Sequence, residues 1–270
     1  MAEERLIEKR LSPEKHVAWL TLNRPAKKNA LSNALMAQLI ADLKEISARK
    51  DISAIVLEAK GDSFCSGLDL YDLREKSRAE AQWGAGGSTP EIVHLLRTAP
   101  QITIAAVQGY ALGGGLVLVN GCDLAVAAEN AKLGMPEILR GSYGAVATPT
   151  LFKAGLPNKI AFRIQLTGEN LSGTEAFACG LVSHVVPEAE LKAVVDRLAF
   201  EIGSRHRGPL AHAKIAAYSA RDLPFDKAME VDELVSHRMR YYMDPLSDVD
   251  TYLKSQRGGG NPGYKRPDTE

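Results

Sequence analysis

Gln108-Gly109-Tyr110-Ala111-Leu112-Gly113-Gly114-Gly115-Leu116-Val117 is the stretch around which the rest of the chain reads. Before it, Ile102 to Val107 is a short apolar, β-branched run of the kind that forms a buried strand. After the glycines, Leu116 to Asn120 can open a helix. A strand, a glycine turn and a helix start aim backbone N–H groups and the positive end of a helix dipole at one spot. Glycine lets a guest approach closely, because no Cβ stands in the way. Three glycines alone also read as a tight turn and nothing more. Two phosphate loops are excluded, since no Lys-Ser/Thr follows and the spacing is not Gly-x-Gly-x-x-Gly. The guest that suits this turn is a carbonyl oxygen.

At 270 residues the chain is long enough for one large domain or a domain with an appendage. Its 33 basic and 33 acidic side chains balance, so no global field favours nucleic acid or an anionic membrane. Cys65, Cys122 and Cys179 form no close ligand pair, and an odd number argues against a disulfide framework. The charged start Met1-Ala2-Glu3-Glu4-Arg5 is not a signal peptide, and no apolar run reaches the roughly 18 residues of a membrane span. A cytoplasmic protein is expected. The six histidines are scattered without metal-ligand spacing, so no metal is expected.

Outward from the glycines, two partly alternating runs, Leu6–Leu11 and His16–Leu22, flank Ser12-Pro13-Glu14-Lys15 and predict a hairpin. Pro25 ends the second strand by holding Arg24 extended. Ser32 caps a predicted helix with Leu35, Leu39, Leu43 and Ile46 on one face. Ile55–Leu57 and Leu124–Ala128 read as further buried strands, Glu91–Arg97 as helix, and Lys132–Pro136 as extended chain leading to Glu137. Glu75 to Pro90 is polar and glycine-rich, either a loop over a site or a solvated connection. From Pro187 the pattern turns helical: Leu191, Val194, Val195, Leu198, Ala199 and Ile202 share one face. Helical stretches follow near Ala211–Ala220, Phe225–Tyr242 and Ser247–Gln256. These patterns divide the chain into an α/β core over 1–205, a helical region over 206–257 and an irregular tail over 258–270.

Several blocks now stand in one order. They are Asn23-Arg24-Pro25 with Asn29-Ala30-Leu31, Phe64 to Leu70, Ala105 to Gly115, Cys122-Asp123, and Gly134-Met135-Pro136-Glu137. Leu166-Thr167-Gly168, Glu175-Ala176, Gly180-Leu181-Val182 and Val185-Val186-Pro187 continue them. The set resembles the enoyl-CoA hydratase/isomerase (crotonase) superfamily over about residues 5 to 215. The resemblance implies an α/β spiral of ββα units with a C-terminal helical oligomerisation region, assembled as a homotrimer or homohexamer. It implies an acyl-CoA thioester as substrate and no separate cofactor, CoA being part of the substrate. The family's two oxyanion-hole N–H groups map onto Leu68 and Gly114. Charge that develops on a thioester oxygen is what such donors stabilise, by roughly 3–4 kcal/mol each. Lys27 and Lys28 fall where the family often meets CoA phosphates, and Cys65 and Ser66 where backbone groups hold the adenine.

The departures from the family carry the expected chemistry. Hydratases of the family use two carboxylates; the first falls here on Val117, and the second is Glu137. Adding water asks one group to hold and deprotonate it while another delivers a proton. Moving a double bond needs one base that takes a proton from one carbon and returns it two carbons away. Glu137 beside an apolar Val117 suits the second task, so an enoyl-CoA double-bond isomerase is expected. The alternative is a hydratase or feruloyl-CoA-type hydratase-lyase using Glu137 alone, although the lyases' tyrosine falls on Leu73. A non-catalytic CoA-ester binder or an RNA-binding member is disfavoured by the retained Glu137 and the neutral charge. The loop Gly141 to Thr150 also departs from the family's glycine-rich segment, and the resemblance implies that its Tyr143 and Ala145 join Val117 in the acyl pocket.

Overall fold

The computed structural model describes residues 5–75 and 88–242, with the single positions 249 and 253. The sequence-predicted helix over Ser247–Gln256, the tail 258–270 and most of the Glu75–Pro90 segment therefore lie outside the described residues.

Among the described residues nine strands form two sheets: β1 (Ile7–Ser12), β2 (Val17–Leu22), β3 (Ala54–Ala59), β4 (Ile102–Val107), β5 (Tyr110–Leu112), β6 (Leu124–Ala128), β7 (Lys132–Gly134), β8 (Asn170–Ser172) and β9 (His184–Val186). The larger sheet runs β1-β2-β3-β4-β6-β9 and the smaller β5-β7-β8. β1 and β2 form the expected antiparallel hairpin, with Ile7 opposite Leu22, and every later pair of the larger sheet is parallel. Short bridges Leu31–Leu68 and Cys65–Ala111 add two more extended segments to the inner layer. Each turn of the chain thus lays a strand in the large sheet, then a short extended piece in the inner layer, then a helix. That is the ββα spiral.

The helices are α1 (Asn33–Ser47), α2 (Leu70–Glu75), α3 (Thr89–Thr98), α4 (Gly114–Gly121), α5 (Ala147–Phe152), α6 (Asn158–Thr167), α7 (Gly173–Ala178), α8 (Leu191–Gly203), α9 (Arg207–Asp222) and α10 (Phe225–Tyr242). Ser32 caps α1 by accepting from the Leu35 N–H at 3.2 Å, and Leu35, Leu39, Leu43 and Ile46 are fully buried. Side chains alternate across the large sheet because successive strand residues face opposite sides. Ala18, Leu20 and Leu22 enter the main core under α1, α3 and α4, while Val17 and Trp19 pack against Leu191, Val195 and Ala199 of α8. Both faces are covered, as a mainly parallel sheet requires.

The boundary near residue 205 falls in the short link between α8 and α9, yet α9 is tied firmly to the core. Lys214 is buried, donates to the carbonyls of Leu96 (2.7 Å) and Gln101 (3.0 Å), and pairs with Asp123 at 2.8 Å. Asp123 also accepts from the Thr103 N–H and the Tyr218 hydroxyl. Cys122-Asp123, a block of the resemblance, is therefore a structural knot that joins β4 to α9. Burial lowers the Lys214 pKa, and Asp123 counters it.

Candidate active site

The first wall of the site is made by the loop between β2 and α1. Asn29 adopts a left-handed backbone (φ 53°), which asparagine tolerates better than most residues. Its buried amide accepts from the Arg24 N–H at 2.8 Å and donates to the carbonyls of Lys60 and Ser63, both at 2.8 Å. This locks the loop onto the segment that follows β3. Leu31 then pairs with that segment: its N–H donates to the Gly67 carbonyl (2.8 Å), and its own carbonyl accepts from the Asp69 N–H (3.1 Å). Because successive peptide groups in an extended segment point to opposite sides, the Leu68 N–H is turned away from Leu31. It faces the start of α4: an ideal Cβ on Gly114 would lie 3.5 Å from the Leu68 nitrogen.

Asp69 holds this segment from beneath. Its buried carboxylate pairs with the Arg24 guanidinium and accepts from the Tyr71 N–H at 2.9 Å. Burial pushes the Asp69 carboxyl up, but those bonds outweigh it and hold it below the usual carboxylate range. Arg24→Ala is expected to cost about 2 kcal/mol by stranding a buried carboxylate. A native pKa below the unfolded value of about 3.9 stabilises the fold above that pH, and the contribution vanishes as pH falls through the native value. Denaturant titrations of both proteins from pH 7 to 3 check this: their stabilities should converge in acid, and a constant gap would remove the ion pair as cause.

α4 supplies the second donor. Gly113 sits at φ 51° just before the helix and donates to the Gly134 carbonyl at 2.9 Å, so the turn is pinned to β7. Gly114 is the first helical residue, one of the positions whose N–H has no partner within the helix. Among the described residues neither the Leu68 nor the Gly114 N–H is taken by a backbone or side-chain acceptor. Two donors thus converge at the positive end of α4. Gly115 is required for the close approach: a Cβ there would meet the Cys65 carbonyl at 2.2 Å.

Opposite the donors, Pro136–Arg140 folds as a 3₁₀ turn, where sequence alone suggested only extended chain up to Pro136. The turn brings the Glu137 carboxylate over Gly113, so close that an added Cβ there would lie 2.1 Å from its Oε1. Glu137 Oε2 is buried and has no hydrogen-bond partner. A carboxylate oxygen kept from water and left unengaged is one that a substrate proton can reach.

These elements enclose a cavity of about 650 Å³. Leu68, Gly114, Val117, Glu137, Tyr143 and Ala145 all line it, as do Lys27 and Ser66. Val117 is buried, whereas Tyr143 is largely exposed at the rim. Lys28 is not on the wall; its ammonium lies 4.6 Å from the Tyr110 ring centre, while that of Lys27 lies 5.5 Å from Tyr71. Cys65 is not on the wall either. Its N–H donates to Tyr110 and its carbonyl accepts from Leu112, so the inner layer already engages the backbone groups expected to meet adenine. Burial pushes its thiol up to about 12, which excludes a thiolate nucleophile near neutral pH. The Ser66 N–H is likewise given to the Lys28 carbonyl, at 3.0 Å. Sequence reading assigned no role to Asp69, Arg24 or Arg140. Arg140 also lines the cavity, and its spacing of three from Glu137 was the available signal.

A sequence model described as enoyl-CoA hydratase/isomerase matches residues 12–239. The 2,3-dehydroadipyl-CoA hydratase of Escherichia coli (strain K12) is 38% identical over 202 residues, covering 74% of this chain and 77% of that protein. A probable mitochondrial enoyl-CoA hydratase of Dictyostelium discoideum is 33% identical over 229 residues, covering 82% and 79%. The crystal structure of a Mycobacterium smegmatis enoyl-CoA hydratase superposes with a TM-score of 0.87 at 29% identity, over 93% of this chain and 97% of the other. With the spiral, the paired donors and the cavity all in place, the chain belongs to the enoyl-CoA hydratase/isomerase family, which acts on acyl-CoA thioesters.

Proposed function

We propose that the protein moves the double bond of an enoyl-CoA thioester, with Glu137 as the single acid and base. The carrying observation is the cavity wall itself. Of its described carboxylates, Asp69 is tied to Arg24, Glu137 is unengaged, and Val117 occupies the place of the family's other catalytic carboxylate. The thioester oxygen sits between the Leu68 and Gly114 N–H groups. Glu137 takes a proton from the carbon next to the double bond, and the two donors hold the resulting dienolate oxygen. Glu137 then returns the proton two carbons along. Nothing is consumed, and no further cofactor enters. Lys27 lies at the wall where a CoA phosphate would pass, and Ser66 near it.

Hydration is the second reading, favoured by the names of the relatives and by the hydroxyls of Ser142 and Tyr143 on the same wall. Incubation with 2-enoyl, 3-enoyl and aromatic enoyl-CoA esters in heavy water separates the two. A deuterated product with a shifted double bond and no mass gain from water is the expected result. Gain of water, or release of acetyl-CoA, would replace isomerisation by hydration or cleavage.

Assembly as a trimer or hexamer is supported by apolar side chains left open on α9 and α10, among them Ile215, Phe225, Met229 and Leu234. Three unpaired cysteines suit a cytoplasmic setting, although four of the relatives are named as mitochondrial. No helix among the described residues is long and apolar enough to cross a membrane.

A further inference from the structure

Arg140 closes the 3₁₀ turn that carries Glu137. In such a turn side chains three apart lie one above the other, so Arg140 and Glu137 share a face. Both line the cavity. They do not pair with each other: the Glu137 carboxylate is turned onto Gly113, and no ion pair joins Arg140 to any acid among the described residues. This contrasts with Arg5, Arg24, Arg49, Arg97, Arg163 and Arg221, each of which is held by a carboxylate. Leu139, on the same turn, is anchored elsewhere, against Gly168 after α6. The wall around Arg140 continues through Ser142 and Tyr143, two hydroxyl side chains at the exposed rim. The cavity wall therefore carries a guanidinium near two hydroxyls in sequence, all three on exposed residues.

We propose that Arg140 selects acyl groups that carry a second carboxylate, so that the preferred substrates are CoA thioesters of short dicarboxylic acids. A guanidinium meets a carboxylate with two parallel N–H donors, a match that a neutral alkyl end cannot offer. Arg140 is the specificity residue, and Ser142 and Tyr143 complete the polar end of the pocket. The inference rests on the acyl-CoA reading of the cavity and is independent of which reaction follows.

Calorimetric binding keeps the two separable, because it needs no turnover. The saturated CoA thioesters of five- and six-carbon dicarboxylic acids are compared with hexanoyl-CoA and with free CoA, on the wild-type protein, Arg140→Gln and Arg140→Lys. The dicarboxylic esters are expected to bind the wild type about ten- to a hundredfold more tightly than hexanoyl-CoA. Arg140→Gln should erase that margin and leave hexanoyl-CoA and free CoA within twofold, while Arg140→Lys should restore part of it. Equal binding of all esters by the wild type would overturn the proposal. So would a margin that survives Arg140→Gln, or an equal loss for free CoA, which would assign the guanidinium to a CoA phosphate. Failure of every acyl-CoA to bind would overturn the acyl-CoA reading with it. Discrimination without double-bond movement would leave Arg140's role standing and remove only the isomerase.

Discussion

Glu137→Gln is expected to lower kcat/KM by about three to four orders of magnitude, with thermal stability and affinity for the thioester nearly unchanged. The amide keeps the shape of the side chain against Gly113 and can occupy the same space, but it cannot accept the substrate proton. No other described group on the cavity wall can take over. Asp69 is the other carboxylate there, and it is held by Arg24 and the Tyr71 N–H. General acid–base catalysis by one residue is worth about a hundred- to ten-thousandfold, and a reaction that uses the same group twice belongs at the upper end. The measurement is steady-state turnover together with washout of the α-proton in heavy water. Both should fall in step. Retained proton washout with lost product would mean that Glu137 acts after the first proton has left, and undiminished turnover would remove it from the mechanism.

Gly113→Ala has the second largest expected effect, because one methyl group strikes the Glu137 carboxylate directly. The added Cβ would lie 2.1 Å from Glu137 Oε1 and 3.1 Å from its carboxyl carbon, far inside van der Waals contact. Backbone strain adds to this, since φ is 51° at a residue pinned by its bond to Gly134. The carboxylate has to swing away by an ångström or more, and a misplacement of that size costs about a hundredfold in rate. The strained conformation costs about 1–3 kcal/mol in stability. Gly155→Ala is the control. Gly155 also has positive φ (85°), but a Cβ there meets nothing within 4 Å, so strain appears without the clash. Both variants should melt earlier, and only Gly113→Ala should lose turnover, through kcat rather than KM. Equal activity in the two variants would place the working carboxylate elsewhere than over Gly113.

Much of this molecule was legible in its residues, and the reason differs from element to element. The buried strands Ile55–Leu57, Ile102–Val107 and Leu124–Ala128 declare themselves because a sheet covered on both faces needs unbroken apolar runs. Helix α1 declares itself through its Ser32 cap and its period of 3.6, both local properties of the backbone. The Gly113–Gly115 turn and Glu137 were legible as ordered motifs, and Val117 as a departure from them. The inner layer rests on short pieces, Tyr110–Leu112, Lys132–Gly134 and single bridges at Leu31 and Cys65, each too brief to show a period of two. The 3₁₀ turn at Glu137 was missed although its local signals are present, Pro136 at its start and left-handed Gly141 (φ 71°) at its end.

The residues by themselves determined the fold class and the family. Both follow from period and from the order of motifs along the chain, and the donor positions and the acid–base role of Glu137 are what the resemblance to that family implies. Only the tertiary structure decided that the Leu68 N–H turns toward Gly114, that Cys65 and Lys28 stand off the cavity wall, and that Asp69 is bound to Arg24. It alone decided that Arg140 lines the cavity with no ion-pair partner among the described residues. Such facts depend on which way a peptide group or side chain points once distant segments have packed together. That direction is set by hydrogen bonds between residues far apart in the chain, such as Leu31 with Gly67 and Gly113 with Gly134.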